Sequence, residues 1–169
     1  MARRRANNYT DSKHYYDWLD RANEDILSAK HLKDYDTCFN NAAFHCQQTI
    51  EKALKAYILL KSNELVDGHN LTWLCKRAMR YDREFSKWLD ESASLNRCYI
   101  ETRYPADIPL DLTSDEISRY YNMALEMYRF ICAEVDEITE KNAGHPMQRA
   151  GDDVHVTKLR DIINPGFDA

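Results

Sequence analysis

Glycine and proline are scarce, four of each in 169 residues, and both sit largely outside the periodic stretches. That scarcity argues against a sheet with many tight turns and favours long, uninterrupted helices. No apolar run approaches the ~20 residues of a membrane span, and the N-terminus MARRRANNYT lacks the apolar region of a signal peptide. Both absences lead us to expect a cytoplasmic protein with no membrane partner. The sequence has no Walker loop, dinucleotide glycine motif, nucleophile elbow or kinase motif. Metal-ligand spacing is missing too: Cys38, His45 and Cys46 follow no zinc pattern, and no Glu-x-x-His pair suggests a di-iron bundle. We therefore expect neither metal nor cofactor. The five cysteines are odd in number and mostly occupy apolar phase, where a reduced thiol packs as a small hydrophobe.

Basic residues are fewer than acidic ones, 23 against 28, for a formal charge of −5. This opposes binding of a phosphate backbone by the whole surface, so the chain carries no strong nucleic-acid signal, although a local basic patch remains compatible with a nucleotide. The imbalance is uneven along the chain. Tyr104 to Glu140 holds nine acids and two arginines, whereas Lys76 to Arg103 holds seven basic side chains among five acids.

Helical periodicity dominates what is present. Tyr15, Trp18, Leu19, Ala22, Ile26, Ala29 and Leu32 keep one phase, with Thr10, Asp11 or Ser12 as the expected N-cap. After a polar break at 34–37, Phe39, Ala42, Ala43, Cys46, Ile50, Ala53, Leu54, Tyr57 and Leu60 repeat at three-and-four spacing. This predicts a second helix to about Lys61, antiparallel to the first, with Gln47, Gln48, Glu51, Lys52 and Lys55 on its remaining surface. Leu71, Leu74, Cys75, Ala78 and Met79 open a third segment, and Phe85 to Leu89 forms a shorter piece. Another helical stretch, marked by Leu95, Cys98 and Tyr99, must stop near Arg103, because Pro105 and Pro109 disfavour helix before them. Thr113 and Glu116 have capping-box spacing ahead of a last long helix through Ile138. The expected fold is all-α, an antiparallel up-and-down bundle of four to five helices. It spans residues 13–140, between a basic arm at 1–12 and a weakly structured tail at 141–169.

Three stretches together resemble one family. They are Gln47-Gln48-x-x-Glu51-Lys52-x-x-Lys55 in helix two, Gly68-His69-Asn70-Leu71, and Thr102-Arg103-Tyr104-Pro105, in that order. The combination is similar to HEPN domains over about Tyr15 to Ile138, with the second stretch close to the family's usual Thr-His-Asp-Leu. The resemblance implies a helical bundle that commonly forms homodimers, a link to nucleotides, and association with minimal nucleotidyltransferases in arrangements like toxin–antitoxin pairs. Another branch of the family consists of metal-independent RNA-cleaving toxins. These use an arginine followed by a histidine with roughly four to six residues between them, one to stabilise phosphorane charge and one to move the 2′-hydroxyl proton.

The one formal match to that pair here is Arg149 and His155, whose intervening AGDDV would place two acids beside an anionic substrate. Neither Arg97 nor Arg103 has a histidine at the required distance. We therefore expect a non-catalytic binding module, with the endoribonuclease and a purely structural oligomerisation domain as alternatives. In the binding reading, Lys52, Lys55, His69, Arg97 and Arg103 converge on phosphates, and Tyr99 or Tyr104 stacks on a base. A simpler reading of the same side chains has Glu51 and Lys55 as a helical i,i+4 pair, Lys52 on a solvated face, and Arg103 on loop carbonyls. His45 is expected as a hydrogen-bonded interior or interface residue. The aromatics are expected as core and interface material.

Overall fold

The structure, a computed structural model, describes residues 11–99 and 111–143. Among the described residues there are five α-helices and no strand: α1 (Tyr15–Leu32), α2 (Phe39–Ser62), α3 (Leu71–Ala78), α4 (Leu89–Asn96) and α5 (Ser114–Ala143). Short 3-10 segments at Asp36–Cys38, Arg83–Trp88 and Arg97–Tyr99 join or extend them. The expected helical bundle is what forms.

The long helices stand where apolar phase and end signals put them. Leu19, Ala22, Ile26 and Ala29 line the buried side of α1. The tight link through Asp36–Cys38 returns the chain antiparallel along α2, and the small side chains Ala22, Ala29, Ala42 and Ala43, all fully buried, let the two helices approach closely. α2 ends at Asn63, whose φ of 56° is left-handed, a conformation asparagine tolerates at a helix end, and whose N–H donates to the Leu59 carbonyl at 2.8 Å. α5 opens on the capping box read from the sequence: Thr113 Oγ1 accepts from the Glu116 N–H at 3.2 Å, and Glu116 Oε2 accepts from the Thr113 N–H at 2.9 Å.

The start of α1 departs from expectation. Its N-cap position is His14, which makes no side-chain cap. Ser12 works one step earlier, its hydroxyl accepting from the His14 N–H at 3.1 Å and its carbonyl from Trp18 Nε1 at 2.9 Å. Thr10 lies outside the described residues, as do Arg103, Tyr104, both prolines after them, and the tail from residue 144.

The greater difference concerns α2. It packs against α1 and α5 on two sides and against α3, α4 and the Arg97–Tyr99 turn on others. Ala53, Leu54, Lys55, Ala56, Tyr57, Ile58 and Leu59 are consecutively buried, so this is an interior helix and not an amphipathic surface one. A row of aromatic rings closes the bundle beside it: Tyr57 meets Phe85 at 4.5 Å, Phe85 meets Phe130 at 5.1 Å, and Trp88 meets Phe130 at 5.7 Å between centroids. Each ring buries large apolar area and adds about 0.5–1.5 kcal/mol per pair through its quadrupole.

Candidate functional site

Because α2 is covered on every side, the polar residues assigned to its surface are drawn inward. Gln47 is fully buried, and Glu51 and Lys55 are only 4% and 5% exposed. A buried carboxylate requires compensating donors, and Glu51 has four. Its Oε1 accepts from Lys55 Nζ at 3.1 Å and meets His69 Nδ1 at 2.8 Å. Its Oε2 accepts from Gln47 Nε2 at 3.1 Å and Gln48 Nε2 at 3.3 Å. Gln47 Nε2 also reaches the His69 carbonyl at 3.3 Å, which fastens the loop before α3 to α2. Around this cluster, Tyr99 stacks on His69 with centroids 5.1 Å apart and the rings within 12° of parallel. Lys55 Nζ lies 5.4 Å from the centre of the Trp18 ring.

A second carboxylate, the buried Asp25 of α1, faces α2 nearby. Its Oδ1 meets His45 Nδ1 at 2.8 Å, and its Oδ2 accepts from Lys52 Nζ. Each cluster thus combines one acid, one histidine and one lysine. They differ in the cover of acid and lysine: Glu51 and Lys55 are almost entirely enclosed while the Lys52 side chain is 25% exposed, although His69 is more open than His45.

The structure therefore brings Lys55, His69 and Tyr99 together and places Lys52 on a different carboxylate. Lys52 is anchored to Asp25, not free on a solvated face, and Glu51 with Lys55 does form the i,i+4 pair. Arg97 opens the turn Arg97–Tyr99; the Glu116 carboxyl of α5 is held below the usual range mainly by hydrogen bonds from Thr113, with Arg119 and then Arg97 adding to the effect. Arg103, Tyr104, Arg149 and His155 lie outside the described residues. Sequence reasoning missed Asp25, which shares the buried face of α1 with Ile26 and has no apolar-phase signal of its own.

Beside Lys52 a groove of about 460 Å³ opens along α1, lined by Asp11, Asp17, Asp20 and Glu24 together with Trp18 and Arg21. Arg21 pairs with Glu24 at 2.7 Å, and Lys52 with Asp25, so the groove's two cations are already engaged and its character is acidic. Phosphates gain nothing from such a surface. Among the described residues no group of His, Cys, Asp and Glu is arranged to hold a metal ion. No described helix is long and apolar enough to cross a membrane. No cysteine forms a disulfide, and burial pushes the thiol of Cys132 up to about 12, beyond ordinary nucleophilic use.

Comparison with known proteins is consistent with this architecture. The family model described as HEPN domain matches residues 15–137. A solved structure, that of TT1696 from Thermus thermophilus, superposes with a TM-score of 0.63 at 24% identity, covering 71% of this chain and 97% of that one. At that identity the likeness speaks for the fold alone. No curated protein matches the chain significantly.

Proposed function

The chain belongs to the HEPN domain family, and from that premise we propose that it is a non-catalytic helical module that works as a homodimer by binding a protein partner, a nucleotidyltransferase. The observation that carries this reading is the neutralisation of the polar ridge within the chain itself. Lys52 is held by Asp25, and Lys55 and His69 by Glu51, next to an acidic groove. A nucleotide phosphate at this place would have to displace a buried carboxylate from its donors, which is costly. Protein surfaces make no such demand, and association with nucleotidyltransferases is what the family resemblance implies.

The absence of catalysis rests on chemistry. An RNA-cleaving pair needs an arginine and a histidine at close helical spacing and facing one substrate, and no arginine stands four to six residues from His45 or His69. Purification of the tagged chain from its native cell, with mass spectrometry of what co-elutes, should recover a nucleotidyltransferase that rebinds when both proteins are pure. Calorimetric titration with ATP and GTP should give no heat. Saturable heat that disappears in Lys52→Ala and Lys55→Ala would replace the protein partner with a nucleotide. RNA cleavage that resists chelator and is lost in His155→Ala would restore the enzyme.

A further inference from the structure

Three cations outside these clusters share one face of α3 and the turn after it. From Trp73, the positions Lys76, Arg77 and Arg80 follow at three, four and seven residues, the spacing of one helical face. They lie opposite Leu71, Leu74, Cys75 and Ala78, which bury α3 against the bundle. Backbone bonds from Arg80 N–H to Arg77 and from Tyr81 and Asp82 N–H to Ala78 carry the turns past the end of α3, so this face is continuous. Lys76 and Arg80 are exposed and form no ion pair among the described residues.

Trp73 is 41% exposed, among the most exposed large hydrophobic side chains described, and it is fixed in place. Arg77 lies 5.3 Å from its ring centre, and the Trp73 backbone N–H donates to the side chain of the N-cap Asn70 at 2.9 Å. The Gly68 backbone, at a φ of +127°, passes so near that a Cβ there would stand 3.4 Å from the ring. An ordered tryptophan among arginines has the composition of an interface anchor, since little side-chain entropy is left to lose.

The acidic α1 groove and this face are linked through the Glu51 cluster. Trp18 of the groove packs under Lys55, Lys55 and His69 share Glu51, and Asn70, next to His69, caps α3. Basic face and acidic groove therefore each connect to the Glu51 cluster, the face through the Asn70 cap beside His69 and the groove through Trp18 under Lys55. The two patches are opposite in charge, and a two-fold interface pairs such patches reciprocally, each meeting its complement from the partner. We propose that two copies of the chain associate about an axis near the Glu51 cluster, the Trp73–Arg80 face of each lying in the α1 groove of the other. The proposal rests on the homodimer in the reading above and names its surface.

Sedimentation velocity over a concentration series tests it with two variants at exposed positions, Lys76→Glu/Arg80→Glu on the α3 face and Asp11→Lys/Glu24→Lys on the groove. Thermal melts should be close to that of the wild type. Each variant alone should dimerise at least ~10-fold more weakly, since like charges then face each other in both contacts. An equimolar mixture should regain the dimer, because every contact in the mixed pair is again complementary. A monomeric wild type would overturn the homodimer reading itself. A dimeric wild type whose variants dimerise equally well, or whose weakened variants do not recover on mixing, would overturn this interface alone.

Discussion

α2 presents lysines, and the α3 face a lysine and two arginines, at helical spacing, and the fold treats them in opposite ways. In α2, Lys52 and Lys55 are drawn onto Asp25 and Glu51, where their charge serves the interior. On α3 and the turn that continues it, Lys76 and Arg80 stand on the outer face without a carboxylate among the described residues. The chemical type of a side chain thus says little about its role until the number of neighbours around its helix is known. An interior helix converts a polar ridge into a fastening. A flanking helix leaves the same groups available to another molecule.

Removing the acid from the better-covered cluster should give the largest effect. Glu51→Ala strands a buried lysine, and urea denaturation should show a loss of about 3–5 kcal/mol. Asp25→Ala should cost less, about 2 kcal/mol by the same measurement, because Lys52 and His45 can turn to water. Equal costs would erase the distinction between the two clusters.

Glu134 of α5 offers a pH test. Burial first, and then a shared hydrogen bond with Asp82 just beyond α3, raise its carboxyl above the usual value. With the folded value above the unfolded one, the native state holds the proton longer, so stability falls as pH rises from the ordinary carboxylate range through the raised value. Glu134→Gln should therefore melt higher than the wild type at neutral pH and equally in acid, as read by calorimetry at both. The smallest effect belongs to the outer face. Lys76→Ala and Arg80→Ala should each change stability by less than about 0.5 kcal/mol while still weakening self-association. A larger loss would mean that α3 needs those charges for its own packing.

Much of the fold was legible because its signals are local. The Thr113–Glu116 box, the break before Phe39 and the apolar phases of α1, α2 and α5 each depend on residues a turn or two apart. Helix two was placed to within a residue of its end, Lys61 against Ser62. The site was less legible, since burial of Gln47, Glu51 and Lys55 depends on which other elements cover α2. Periodicity along α2 reports its apolar stripe and is silent on whether a loop holding His69 will close over the polar one. The partner of Lys52, an aspartate 27 residues earlier, is invisible for the same reason. What the sequence did offer was the grouping itself: Gln47, Gln48 and Lys55 end on the carboxylate of Glu51, and the spacing that marked them as kin also lets them meet.

The uninterrupted burial of Ala53 to Leu59 has a kinetic corollary. A helix that forms a wall of every neighbouring layer cannot itself open without the others separating. Amide hydrogens along this stretch should be the last to exchange with deuterium, at a rate set by global unfolding, while those at the ends of α1 and α5 exchange through local fraying.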